Sequence, residues 1–287
     1  METDHKRSKE ETEKITIIMT CYNRRDMTTA CIRSLRNNKT GCCFIVVDDG
    51  STDGTRDRLK ELQAEGTEIS VLGGDGKLFY SGGMRRGIEE AKRQEGTAWY
   101  LIVNDDVVFK AGVIDGMAQT EDRYYKDTGE HRVLIGCTLS ESGGLSYGGI
   151  RYTGRGVKYE ICSPEDEGEC DTFNANCVLI PHDIFFETEN IDNKYIHSLG
   201  DFDYGLSMSR RGVKLCTYGE YVGTCNDNST EGTWMDTGLS RRDRLRAKEN
   251  PKGAPFPQWF YFLRKNFGLR KALLHSLTPY VRIALGK

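Results

Sequence analysis

Between residues 15 and 104, short β-rich apolar runs alternate with stretches of helical spacing, and this alternation limits the fold more than any other feature of the chain. ITIIMT (15–20), CFIVVDD (43–49), EISVLG (68–73) and AWYLIVN (98–104) read as strands. RRDMTTACIRSLRNN (24–38) sets Met27, Ala30, Cys31, Ile32 and Leu35 near helical spacing. GSTDGT (50–55) turns into a second helix running to about Ala64, with Ser51 or Asp53 as its N-cap, and GGMRRGIEEAKRQ (82–94) reads as a third helix opened by glycines. Strands separated by helices imply right-handed crossovers and a mostly parallel sheet, hence an α/β fold. Ligands of such sheets bind beyond the carboxyl ends of the strands. Polar residues gather there: Thr20 and Asn23 after the first run, Asp48 and Asp49 after the second, a glycine loop after the third, and Asn104, Asp105 and Asp106 after the fourth.

The second half is less regular. Residues 143–159 are Gly-rich and suggest one or two hairpins, 163–171 an acidic loop, NCVLIPHDIF (176–185) a strand entering a turn, LGDFDYGLSMSRRG (199–212) a helix, and VKLCTY (213–218) a strand. The last forty or so residues look helical, and the expected organisation is one compact unit with an appended helical segment. A chain of 287 residues has room for a sizeable core, and its net charge of −3 carries no nucleic-acid signature. No apolar run reaches the ~18 residues of a membrane-spanning helix. Residues 1–14 are almost all polar or charged, so a frayed tail is expected there and not a signal peptide. The ten cysteines form no C-x-x-C pair, which disfavours a zinc ribbon or thioredoxin-type site. Cys137, Cys177 and Cys216 sit in apolar stretches as small core residues, and with no export signal the thiols are expected to be reduced, in a cytoplasm.

Three stretches could carry chemistry. GGDGKLFYSGGMRRG (73–87) fits neither the P-loop nor the dinucleotide fingerprint. Glycine amides at a helix start, Gly82 among them, followed by Arg85 and Arg86, suit a diphosphate as well as they suit a surface loop with a basic helix face. VVDDGSTDGT (46–55) places an Asp where it could accept the imide N–H of uracil or thymine, although the same pattern makes an Asx-type turn. Asn104, Asp105 and Asp106 offer hard oxygens suited to Mg²⁺ or Mn²⁺, whereas a helix cap would account for only one of the acids.

TIIMTCYNR followed by FIVVDDGSTDGT resembles the family 2 glycosyltransferases, over roughly residues 15–227. The resemblance implies the GT-A fold: a Rossmann-like, mostly parallel nucleotide-binding sheet. It implies a catalytic domain over 15–238, with a nucleotide-sugar half (15–110) and an acceptor half (111–238), followed by a basic helical extension (239–287). By position, Asp49, with Asp48 beside it, recognises the pyrimidine, and Thr20, Tyr22 and Asn23 line the donor site. The family's Asp-x-Asp metal motif corresponds to Asn104-Asp105-Asp106, so Asp106 takes the direct metal contact and Asn104 reaches the ribose or a metal-bound water. The base corresponds to Asp201, with Asp203 as fallback, and Gly200 replaces the Glu that usually precedes it. Where relatives carry a late metal-binding His, this chain has Cys225, Asn226 and Asp227, of which Asp227 is the best match for a hard cation. Asn174 and Asn176 fall on the acceptor side, where Trp234 and Tyr204 could stack on a sugar. His182 and His197 are expected to be turn or surface residues.

The implied activity is inverting transfer of a sugar from a UDP- or dTDP-activated donor to a saccharide hydroxyl, in bacterial surface polysaccharide synthesis. Residues 74–88, GDGKLFYSGGMRRGI, are similar to a rhamnosyltransferase-like subset. The segment 258–287 has six Lys/Arg, no Asp or Glu, and many aromatics and leucines. It therefore suits an anionic membrane surface, and the family resemblance implies in addition a lipid-linked acceptor and a location on the inner face of the cell membrane. Two other readings are a non-catalytic nucleotide-sugar-binding protein of the same ancestry and a nucleotidyltransferase. The latter would need a basic glycine motif close after the first strand, where TCYNRRDM has no glycine.

Overall fold

The computed structural model describes residues 14–36, 41–94, 96–154, 157–166 and 168–287, so all of the expected N-terminal tail except Lys14 lies outside the described residues. The first half runs β1 (Ile15–Cys21), α1 (Arg25–Arg36), β2 (Cys42–Asp48), α2 (Thr55–Ala64), β3 (Glu68–Gly73), α3 (Phe79–Ala91), β4 (Trp99–Val103), β5 (Val108–Phe109) and α4 (Val113–Thr128). The second half runs β6 (Arg132–Leu139), β7 (Leu145–Tyr147), β8 (Gly149–Tyr152), β9 (Tyr159–Cys162), β10 (Thr172–Phe173), β11 (Cys177–Pro181), α5 (His182–Glu187), α6 (Gly200–Arg210) and β12 (Lys214–Thr224). Four helices follow: α7 (Arg241–Glu249), α8 (Phe256–Phe267), α9 (Leu269–His275) and α10 (Thr278–Ala284).

The main sheet has the order β3-β2-β1-β4-β11-β6-β12-β5, with β7 paired to β6. Strands β3, β2, β1 and β4 are parallel, as the strand–helix alternation requires. β11 lies antiparallel to both β4 and β6 and joins the halves. A small antiparallel sheet, β10-β8-β9, stands beside it. Helices cover both faces, so alternate residues of β1 enter different cores: Ile15, Ile17 and Met19 pack towards α1, α2 and α4, and Ile18 packs towards α3. Cys137 and Cys177 are buried small residues in these cores, as expected.

Two local boundaries differ from the sequence expectation. Helix α3 begins at Phe79, before the glycines, because Asp49 on the neighbouring strand end receives the amides of its first turn; Phe79 N–H donates to Oδ2 at 2.9 Å. Gly82 and Gly83 therefore lie inside the helix. A Cβ on Gly83 would come within 2.2 Å of Thr20 Oγ1, so glycine there allows α3 to lie directly on β1. At α2 the cap position is Gly54, with φ +88°, and Asp53 just before it accepts the Thr55 N–H at 3.0 Å.

The C-terminal helices pack on the second half. Tyr195, Phe262, Leu263 and Ala272 form a third buried cluster, with Phe202 and Leu206 of α6 against it. Asp203 is buried and accepts from Lys265 Nζ at 2.7 Å and Asn266 Nδ2 at 2.9 Å, so it fastens α6 to α8. Arg244 of α7, only 2% exposed, donates to the carbonyls of Trp234 (2.7 Å) and Lys287 (2.6 Å). Among the described residues no helix is long and apolar enough to cross a membrane.

Candidate active site

Three adjoining clefts lie beyond the carboxyl ends of β1, β2 and β4. The smallest, about 180 Å³, is lined by Thr20, Tyr22, Asp49, Phe79 and Asp105. The largest, about 510 Å³, is lined by Asn104, Asn174, Asn176, Asp201 and Trp234. Tyr80, His197 and Lys252 belong to the walls of both. A third cleft, of about 470 Å³, contains Asp106 and Asp227, and shares Arg24 with the smallest.

In the smallest cleft, Asp49 is already engaged. Oδ1 accepts from Gly76 N–H (2.9 Å) and Leu78 N–H (3.2 Å), and Oδ2 from Phe79 N–H (2.9 Å). Of the glycine amides expected to cradle a diphosphate, that of Gly76 is therefore spent on a side chain and that of Gly82 on the backbone carbonyls of Leu78 (3.1 Å) and Ile196 (3.4 Å). Asp48, 1% exposed, faces away from this cleft, capping Ser51 N–H at 2.9 Å and pairing with Arg56 Nε at 3.2 Å. Asn23, at φ +52°, accepts the Thr52 N–H at 2.7 Å and ties the first loop to the second. Arg85 donates to the carbonyl of Asp192 at 3.1 Å, and Arg86 to that of Gly73, so both are spent on neighbouring backbone.

The two acids are not helix caps, since the cap position of α4 is Gly112. Asp105, 4% exposed, accepts from Thr28 Oγ1 at 3.0 Å and Arg24 Nη1 at 3.1 Å. Burial raises its pKa to about 6 in spite of the guanidinium. Asp106 accepts from Arg24 Nη1 at 2.8 Å and from the Cys225 thiol at 3.4 Å. That thiol is pushed up to about 12, by burial first and by the charge of Asp106 second. Asn104 Oδ1 is buried and has no hydrogen-bond partner, a costly state that calls for a donor from outside the protein.

A hard divalent cation needs only one or two carboxylates when phosphate oxygens and water complete its shell. Asp106 and Asp227 line one cleft and fit that requirement. Among the described residues no three His, Cys, Asp or Glu side chains converge as a closed metal cage would require. Cys225 is a protonated thiol and a poor partner for Mg²⁺. Asn226 is committed to the Glu141 N–H at 2.8 Å.

In the largest cleft, Asp201 opens α6. Its Oδ1 accepts the Phe202 N–H at 2.9 Å, and burial raises its pKa to about 6. Gly200 before it has a direct cause: a Cβ there would lie 2.4 Å from Ser81 Oγ, so no side chain fits. Asn176 is buried with Nδ2 3.5 Å from Cys225 Sγ, and Tyr204 is buried beside Phe173 in the core, outside the cleft lining. His197 departs from the surface position expected of it. Its Nδ1 is buried without a partner, and burial, then the charges of Lys252 and Arg24, lower its pKa to about 4. His182, the other such histidine, is not in a turn but opens α5 directly after β11, with Nδ1 2.9 Å from the Thr97 carbonyl.

Arg24, His197 and Lys252 carry no motif of their own, and only the folded chain shows their importance. One signal was available: Lys252 lies in the basic stretch that follows the second half. Among the described residues, the four non-glycine residues with positive φ, Asn23, Phe79, Leu199 and Ala254, all lie in or beside these clefts. Each such conformation costs on the order of 1–3 kcal/mol and tends to persist where function fixes the geometry.

Residues 16–128 match the family model described as Glycosyl transferase family 2. No curated protein matches the chain in sequence. Among solved structures, the chain is similar to the mannosyltransferase PcManGT from Pyrobaculum calidifontis in complex with GDP-Man and Mn²⁺, at 11% identity over 96% of this chain and 75% of that one, with a TM-score of 0.55. It is similar to TarS 1–349 of S. aureus in complex with UDP, at 12% identity over 94% and 80% of the two chains, with a TM-score of 0.58. It is also similar to GalNAc-T7 with UDP, GalNAc and Mn²⁺, at 11% identity over 89% and 59%, with a TM-score of 0.57. At such identities the likeness is one of fold, and the fold is GT-A with added C-terminal helices.

Proposed function

We propose that this chain, whose residues 16–128 match the family 2 glycosyltransferase model, is an inverting glycosyltransferase that moves a sugar from a nucleoside-diphosphate donor to a saccharide hydroxyl. The observation that carries the reading is one shared wall: Tyr80, His197 and Lys252 separate a small cleft with the donor-side residues from a large cleft with Asp201. A donor would be held on one side and an acceptor on the other, with the reacting carbon between them.

In this reading the base and ribose rest against Thr20, Tyr22 and Phe79, while Asp49 holds the loop that shapes their pocket. Arg24 and Lys252 face the diphosphate and offset the negative charge that grows as it departs, an interaction stronger in the transition state than in the ground state. A divalent cation, when bound, would be held by Asp106 with Asp227 and would neutralise the same charge. Asn104 Oδ1 gains its missing partner from a donor hydroxyl or a bound water. Asp201 accepts the proton of the attacking hydroxyl, and its raised pKa still leaves it ionised at neutral pH. His197, neutral at that pH, can hydrogen-bond either substrate without adding charge. Asn174, Asn176, Trp234 and Trp259 offer the amides and flat faces that saccharides bind.

A UDP- or dTDP-activated donor, a rhamnosyl or related hexosyl group, and an acceptor in bacterial surface polysaccharide synthesis form the finer part of the proposal. The fold neighbours solved with UDP and with GDP-Man set the panel for a test. Melting temperatures with UDP-, dTDP- and GDP-sugars, with and without Mn²⁺, should rise for one nucleotide class by mass action. That donor should then yield free nucleoside diphosphate in the presence of a saccharide acceptor. Binding without turnover for every acceptor would favour the non-catalytic reading.

A further inference from the structure

Helices α9 and α10 expose leucines in a regular order. Leu269, Leu273, Leu277, Val281 and Leu285 follow one another at four-residue steps and are 55, 58, 54, 53 and 63% exposed; Leu274 beside them is 72% exposed. Ser276 and Leu277 both keep right-handed backbone angles; each four-residue step advances about 40° around a helix, so these side chains wind across a broad solvent-facing arc. The opposite side supplies Ala272 and Ile283, which are buried. These helices thus have an inward apolar face that holds them to the protein and an outward one that nothing in the fold covers.

We infer that the outward stripe is a docking surface for an anionic lipid bilayer. The charge on these two helices and on α8 before them carries the choice of occupant. Residues 258–287 contain six Lys/Arg and no Asp or Glu, in a chain whose net charge is −3. Arg264, Arg270 and Arg282 are exposed. Aliphatic side chains flanked by arginines on short interfacial helices suit acyl chains beneath anionic headgroups. A second copy of the chain is the poorer occupant, since a two-fold interface would set this basic surface against itself.

The stripe also lies close to the acceptor cleft. Helix α8 supplies Trp259 and Phe262 to the cleft wall, and Trp259 Nε1 donates to the His275 carbonyl of α9 at 3.3 Å. A bilayer on the stripe would present a lipid-linked saccharide beside Asp201. This last step rests on the transferase reading; the docking surface itself does not.

Flotation of the full chain with vesicles tests the surface. Vesicles of phosphatidylcholine mixed with an equal amount of phosphatidylglycerol should carry the protein, pure phosphatidylcholine should carry much less, and added salt should release it. The Leu273→Gln/Leu277→Gln/Leu285→Gln variant should lose at least about tenfold in partition, with an unchanged melting temperature because these side chains touch solvent. Failure of the wild type to float, or equal partition of the variant, overturns the proposal. So does a dimer in solution that the triple variant dissolves without any vesicle binding. Turnover with a water-soluble acceptor should match between wild type and variant; its absence in both would reject the transferase reading and leave the docking result standing.

Discussion

Arg24 Nη1 stands 2.8 Å from Asp106 Oδ2 and 3.1 Å from Asp105 Oδ1, so a single guanidinium serves two adjacent carboxylates at the end of the fourth strand. A buried acid left alone would be costly, and Asp105 is the more buried of the two. The same guanidinium lines the smallest cleft, so in the proposed function the group that pairs with these acids would also meet an entering phosphate.

Arg24→Gln should lower stability at neutral pH by about 1–2 kcal/mol, less than for a fully buried pair because the guanidinium is 42% exposed. The deficit should shrink below Asp105's pKa of about 6, where the acid takes up a proton and no longer needs the cation. Urea unfolding at pH 5 and pH 7.5 measures both. Donor binding, followed by calorimetry, should weaken roughly tenfold. An unchanged donor affinity would remove Arg24 from the proposed diphosphate site.

Asp201→Asn should reduce turnover by about 10²–10⁴ while leaving the donor-induced rise in melting temperature intact. The wild-type rate should climb with pH through about 6 and then level off, and the variant should lose that limb. Because burial raises this carboxyl from 3.8 to about 6, the folded state binds the proton more tightly than the unfolded one. Its contribution to stability falls as pH rises through that window, so the Asn variant should be no less stable than wild type at neutral pH. Full activity in the variant would assign the base elsewhere.

Asp106→Asn and Asp105→Asn should separate metal binding from support. In the presence of nucleoside diphosphate, the first should weaken Mn²⁺ binding, read by paramagnetic resonance of the ion, by at least about tenfold. The second should act mainly on stability, since Asp105 is occupied by Thr28 and Arg24. Equal loss of Mn²⁺ affinity in both would place the ion on the pair and not on Asp106.

Gly200→Ala should cost about 1–3 kcal/mol through overpacking against Ser81 Oγ. Ser81→Gly in the same chain should recover part of it, because it removes the atoms that a new Cβ would meet. A neutral Gly200→Ala would show that α6 can shift away from α3.

Much of the first half was legible because its signals are local. Apolar runs at strand length and turn residues between them mark β1 to β4, and parallel pairing follows from the helices between them. The acids at 104–106 stand out because charge interrupts a buried run. What could not be read depends on long-range closure. Asp49 binds a loop 27 to 30 residues away, and that contact, absent from any local pattern, moves the start of α3 from Gly82 to Phe79. Arg24 and Asp106 are 82 positions apart. His197 looked like a surface residue because nothing nearby in sequence says that Lys252 and Tyr80 will enclose it. Arg85 and Arg86 suggested anion binding by composition, but the fold brings carbonyls to them first.

Strand β11 is hydrogen-bonded to β4 on one edge and β6 on the other, and at its start the Asn176 carbonyl faces the Asn104 amide at 3.4 Å. In the proposed reaction, Asn104 on the donor side and Asn176 on the acceptor side would therefore stand at the ends of two adjacent strands of one sheet. Sequence drift can reshape the loops around either residue. The distance between Asn104 and Asn176 themselves is held by interstrand hydrogen bonding, which sets a fixed spacing that small substitutions leave in place.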